Sequence, residues 1–102
     1  MKYEVTASFK ADSDRLSERE RRLFRRLLPA FNEACERIAA DPAATFPASL
    51  RVKDVERAPG ILEMTWSFAG PDGRATFEWV TIEGSRGVRW RRIGGHAIFR
   101  KP

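Results

Sequence analysis

From Lys2 to Lys10 the chain alternates, with Tyr3, Val5, Ala7 and Phe9 set against Lys2, Glu4, Thr6 and Ser8. That period of two predicts a half-buried strand. A polar stretch from Ala11 to Arg15 follows, and Ser17-Glu18-Arg19-Glu20 then has the form of a capping box, Ser17 accepting from the amide three residues on while Glu20 reaches back. Beyond it Leu23, Phe24, Leu27, Leu28, Phe31, Cys35 and Ile38 recur at three- and four-residue spacing, the apolar stripe of an amphipathic helix. Pro29 removes a helical hydrogen bond and crowds the preceding turn, which predicts either one kinked helix or two abutting helices over 18–28 and 30–40. The stripe keeps its phase across Pro29, favouring one bent helix, and Asp41-Pro42 ends it.

After a loop over 42–48 the period returns to two. Four strands are predicted over 49–57, 61–68, 74–82 and 88–93. Ala58-Pro59-Gly60 suits a type II turn, while Ala69-Gly70-Pro71-Asp72-Gly73 and Glu83-Gly84-Ser85-Arg86-Gly87 punctuate the later junctions. Parallel neighbours would need long crossovers, so short connections predict an antiparallel meander and an α+β fold: an N-terminal strand, a long helix, then four strands.

Alternation sorts these strands into two faces. One collects Leu50, Val52, Leu62, Met64, Trp66, Phe68, Ala75, Phe77, Trp79, Val88 and Trp90, a core face that the helical stripe can cover. The other collects Arg51, Lys53, Glu63, Thr65, Arg74, Thr76, Glu78, Arg89 and Arg91, a basic face carrying two carboxylates. Arg92 falls on the apolar parity, so it lies past the core or a bulge shifts the register there. Aromatic side chains on a sheet can stack on RNA bases, but their company of Leu and Met places them in the core.

Length, at 102 residues, allows one domain over 1–102 with one modest core. No apolar run approaches membrane-spanning length and the first residues lack a signal segment, so a cytoplasmic location is expected. Nineteen basic against fourteen acidic residues leave +5, an excess suited to phosphate-rich or acidic partners. Arg19, Arg21, Arg22, Arg25 and Arg26 read as a solvated helix face with Glu18 and Glu20 as neighbours. The lone Cys35, among apolar helical positions, reads as a buried inert thiol.

Cleaving RNA at its own 2′-hydroxyl without metal needs a base near that hydroxyl, cations against the crowded phosphate and an acid for the leaving oxygen. Glu63, the cations Lys53, Arg74 and Arg91, and His96 can fill those roles. The same residues also suit a surface ion-pair network and a structural histidine. No metal or cofactor is expected: a single histidine with no Cys or Asp cluster supplies no zinc set, and no glycine-rich phosphate loop precedes a helix.

The matching pieces Leu50-Arg51-Val52-Lys53, Ile61-Leu62-Glu63-Met64, Gly73-Arg74-Ala75-Thr76-Phe77 and Ile93-Gly94-Gly95-His96-Ala97-Ile98-Phe99 follow one another in an order that resembles the RelE/ParE superfamily of bacterial toxins. The resemblance implies a toxin of a toxin–antitoxin pair, an endoribonuclease cutting mRNA on the ribosome and neutralised by a cognate antitoxin. It implies Glu63 as base, Arg74 against the scissile phosphate and His96 as acid, with Arg51, Lys53, Arg89, Arg91 and Phe99 holding RNA. Phe99 stands where many members carry a tyrosine, and the capped helix is longer than in compact members. Two other readings share the fold: a gyrase inhibitor of the ParE branch, and a non-catalytic domain that only grips RNA or protein.

Overall fold

In a computed structural model, which describes residues 1–67 and 72–102, the chain is α+β. Five strands, β1 (Tyr3–Val5), β2 (Val52–Asp54), β3 (Leu62–Ser67), β4 (Asp72–Ile82) and β5 (Ser85–Gly94), form one sheet in the order β1-β5-β4-β3-β2. Two α-helices, α1 (Ala7–Arg15) and α2 (Glu18–Ala40), lie between β1 and β2. Short 3-10 turns occupy Ala48–Leu50 and His96–Arg100.

The alternation over Lys2–Lys10 does not make one long strand. Pairing stops at Val5, and Thr6 becomes the N-cap of α1, its hydroxyl accepting from the Phe9 amide at 3.0 Å and donating to the Arg91 carbonyl at 2.7 Å. An N-cap oxygen satisfies an orphan amide that a strand would leave to another partner. Phe9, Asp12 and Leu16 then fall on one side at three- and four-residue spacing, with Phe9 and Asp12 buried.

The helix starting at Ser17 forms with both halves of its capping box, Glu20 amide to Ser17 Oγ at 3.1 Å and Ser17 amide to Glu20 Oε1 at 2.8 Å. It runs unbroken through Pro29, and Asp41 caps it. Its buried residues are Phe24, Phe31 and Cys35 of the predicted stripe, with Ala34 beside them. Arg21, from the helical arginine group, is turned inward and donates to the carbonyls of Ser13 at 2.9 Å and Leu16 at 2.8 Å, closing the end of α1.

The sheet is mixed, which corrects the antiparallel meander. Strands β2 to β5 pair antiparallel in succession, but β1 pairs parallel with β5, Tyr3 opposite Val88 and Val5 opposite Trp90. The helices carry the chain from β1 to β2 at the opposite edge, and β5, reached last, closes back beside β1, so this parallel pair spans a connection far longer than a tight turn. The strand expected over 49–57 is also shorter, because Ala48–Leu50 form a 3-10 turn and Arg51 sits in the left-handed region at φ 50°. Only Val52–Asp54 pair.

The core lies between the sheet and α2. Phe24 meets Trp90 at 5.2 Å and Trp66 at 5.3 Å between ring centroids, and Phe31 meets Trp90 at 4.8 Å and Phe77 at 5.0 Å. Met64, Ala75, Phe77, Val88 and Trp90 are buried as the core parity requires, while Trp79 is half-buried. Phe68 and most of the turn at Ala69-Gly70-Pro71-Asp72-Gly73 lie outside the described residues; Asp72 and Gly73 open β4. Arg92 is explained by a bulge: Phe77 pairs with Trp90 and Thr76 with Arg92, so Arg91 is the extra residue and the register moves by one. That shift returns Ile93 to the core.

Candidate active site

Two rungs of the sheet build the site. On its polar side Lys53 pairs with Glu63, Glu63 with Thr76 and Thr76 with Arg92, while Thr65 pairs with Arg74 and Arg74 with Gly94. Directly opposite residues on one face stand about 5 Å apart and diagonal ones about 7–8 Å, so the register sets Lys53 opposite Glu63 and puts Arg74 diagonally across from Glu63. Lys53 Nζ lies 3.6 Å from Glu63 Oε1. The ammonium is exposed and the carboxylate 8% exposed.

The chain then folds over this surface. Gly94 ends β5, and a Cβ there would stand 3.1 Å from Ile98 Cγ2, so the close return of the 3-10 turn depends on a residue without a side chain. Ile98 is buried, which holds down the turn carrying His96 and Phe99. Phe99 stacks under the Arg74 guanidinium, Cζ to ring centroid 5.6 Å, and its ring meets His96 edge-on at 5.3 Å.

The result is an open hollow of about 530 Å³ lined by Lys53, Asp54, Val55, Glu56, Arg57, Glu63, Arg74, His96 and Phe99. All three residues predicted as catalytic, Glu63, Arg74 and His96, border it, with Lys53 and Phe99 beside them.

Three predicted binding residues do not. Arg51 is turned by its left-handed backbone toward Asp72, 3.5 Å away. Arg89 is held by Glu4 at 2.6 Å and Glu78 at 3.5 Å, over the pair of β5 with β1. Arg91, the bulged residue, donates to Glu78 at 2.6 Å and to the Pro102 carbonyl at 3.0 Å, and lines a second cleft with Thr6, Ser8, Arg92 and Lys101. The parity that grouped these arginines with Glu63 holds only as far as the strands stay regular.

Arg57 was missed. Residues 55–61 make two successive tight turns, Ala58 amide to Val55 carbonyl at 3.2 Å and Ile61 amide to Ala58 carbonyl at 3.0 Å, with Arg57 at φ 64° and Gly60 at φ 84°. Gly60 fits the predicted type II turn, whereas Arg57 takes the same left-handed position without being glycine, and such strain in a β-branch-free residue costs about 1 kcal/mol. Ala58-Pro59 gave no signal for it, since proline restricts the residue just before it, Ala58, and not Arg57.

Electrostatically the hollow is mixed. Lys53, Arg57 and Arg74 face Asp54, Glu56 and Glu63. Nearby, a hydrogen bond with Asp12 raises the Arg92 guanidinium above its ordinary value. Cys35 stands elsewhere, its thiol pushed up to about 12 by burial, as a nonreactive core residue requires. Among the described residues no three His, Cys, Asp or Glu side chains form a group suited to a metal ion, and no helix is long and apolar enough to cross a membrane.

The arrangement offers a nearly buried carboxylate, a guanidinium braced by an aromatic ring, a flexible ammonium and an exposed imidazole around one space. That set can move a proton on and off a substrate and hold an anion between the two. No protein-family model, curated protein or solved structure matches the chain.

Proposed function

We propose that the protein is a metal-independent endoribonuclease whose site is the hollow between β3, β4 and the 3-10 turn. The observation that carries this reading is the convergence of Glu63, Arg74 and His96, which come from three separate segments, on one hollow. Glu63 takes the proton of a ribose 2′-hydroxyl as its oxygen attacks the neighbouring phosphorus. The bond to the 5′-oxygen breaks, leaving a 2′,3′-cyclic phosphate, and His96 in its protonated form gives a proton to the departing oxygen. Arg74 and Lys53 hold the non-bridging oxygens while negative charge gathers on them. Phe99 braces Arg74 and offers a ring edge to a base.

The resemblance to the RelE/ParE superfamily adds the biological setting to this proposal: mRNA on the ribosome as substrate and a cognate antitoxin as partner. Arg51, Arg89 and Arg91 hold no RNA in this reading, because each is committed to a carboxylate away from the hollow. Purified protein incubated with single-stranded RNA, with and without ribosomes, tests the reading. Cleavage should fall about 100-fold or more in Glu63→Gln and His96→Ala. Parental cleavage by both variants would leave the hollow as a binding surface only.

A further inference from the structure

Asp12 is a buried carboxylate that the proposed chemistry does not use. It accepts from Arg92 Nε at 2.6 Å, from Arg92 Nη2 at 3.0 Å and from the Ile93 amide at 3.1 Å. Pairing with β1 has ended by this point on β5, so Asp12 occupies an edge that would otherwise be open. The guanidinium does not stop there: Arg92 Nη1 donates onward to the Lys101 carbonyl at 3.2 Å. Alongside it Arg91, fixed by Glu78, donates from Nε to the Pro102 carbonyl.

These bonds matter because of what lies between their two ends. The 3-10 turn His96–Arg100 has one buried side chain, Ile98, and neither of its caps is made by a side chain. A 3-10 turn of this length has poor intrinsic stability. It leaves the sheet at Gly94 and returns at Lys101 and Pro102, and the return is where the two guanidiniums hold it.

We propose that Asp12 is a positioning residue for the hollow: through Arg92 it fixes the chain at Lys101 and so keeps the turn bearing His96 and Phe99 over Arg74. This rests on the nuclease reading for its effect on rate, but not for its effect on the turn. A buried ion pair is a weak source of stability, so the role proposed for this one is to fix geometry. Fixed geometry is what an acid on a short turn needs, since a displacement of about 1 Å can lower a rate about 100-fold.

Two variants test it, Asp12→Asn and Arg92→Gln, both of which leave the Lys101 amide on the Ile98 carbonyl in place. In both, NMR should show the Ile98 amide exchanging at least about tenfold faster and the cross-peaks between the His96 and Phe99 rings disappearing, with β3 and β4 amides as protected as before. The kcat for RNA cleavage should drop roughly 10- to 100-fold while KM moves less than about twofold. Arg92→Lys should not rescue, because an ammonium cannot bridge a carboxylate and a carbonyl as the guanidinium fork does. If Asp12→Asn unfolds, Arg92→Gln decides alone. A parental turn in that variant overturns the proposal, as does a loosened turn with a parental kcat. Should the parent cut no RNA, the nuclease reading fails while the NMR measurements still decide the role of Asp12.

Discussion

Glu63 keeps 8% of its side-chain surface exposed and has Lys53 for its one charged neighbour within 4 Å among the described residues. A carboxylate so enclosed can meet only a group brought to it. In the proposed mechanism that group is the ribose 2′-hydroxyl, whose proton Glu63 takes while His96 gives one to the leaving oxygen. Cys35 gives a pH effect on stability. Its folded thiol titrates near 12 against an ordinary value of 9.0, so the unfolded chain releases that proton first. The contribution is complete below pH 9 and is lost as pH rises toward 12, at up to about 1.4 kcal/mol per pH unit. Urea denaturation at pH 8 and pH 10.5 should therefore show a smaller alkaline loss in Cys35→Ala than in the parent.

At the scale of elements, Thr6 decides between two structures for the same residues. Tyr3, Val5, Ala7 and Phe9 satisfy a period of two, and Phe9, Asp12 and Leu16 satisfy a helical one, so alternation over Lys2–Lys10 could not separate them. The cap resolves it. Thr6→Val keeps the shape but leaves the Phe9 amide and the Arg91 carbonyl without that hydroxyl, and should cost about 1–3 kcal/mol in urea denaturation, with faster amide exchange along α1. A change below about 0.3 kcal/mol would mean that the strand edge, and not the cap, sets the end of β1. The rest of the helical layer was readable, because Ser17, Glu20 and the apolar stripe act within one or two turns of chain. The division of β3 and β4 into two faces was readable for the same reason, but not that Glu63, Thr65 and Thr76 of the polar face are buried. Arg92 announced the bulge by sitting on the wrong parity, yet its partner Asp12 could not be inferred, since that pairing joins residues far apart in the chain. Arg57 was hidden by a left-handed turn, where side-chain direction no longer follows alternation.

Across the whole molecule the charge of +5 does not concentrate in the hollow, where three cations face three carboxylates. RNA affinity should therefore depend shallowly on salt, with a slope of log K against log salt of roughly −1 to −2, as expected when two cations contact phosphate on a single strand. A steeper slope would point to gripping by a broad basic surface. The arginines most prominent in the sequence serve the fold: Arg21 closes α1, Arg89 joins β5 to Glu4, and Arg91 and Arg92 hold the returning chain. What remains for chemistry is the small set around Glu63. The most direct test compares a short RNA with the same strand carrying one 2′-deoxynucleotide immediately 5′ of the cut. The proposed mechanism predicts a 2′,3′-cyclic phosphate from the first and loss of cleavage by at least about 1,000-fold in the second, because the attacking oxygen is gone. Equal cleavage of both strands would contradict it.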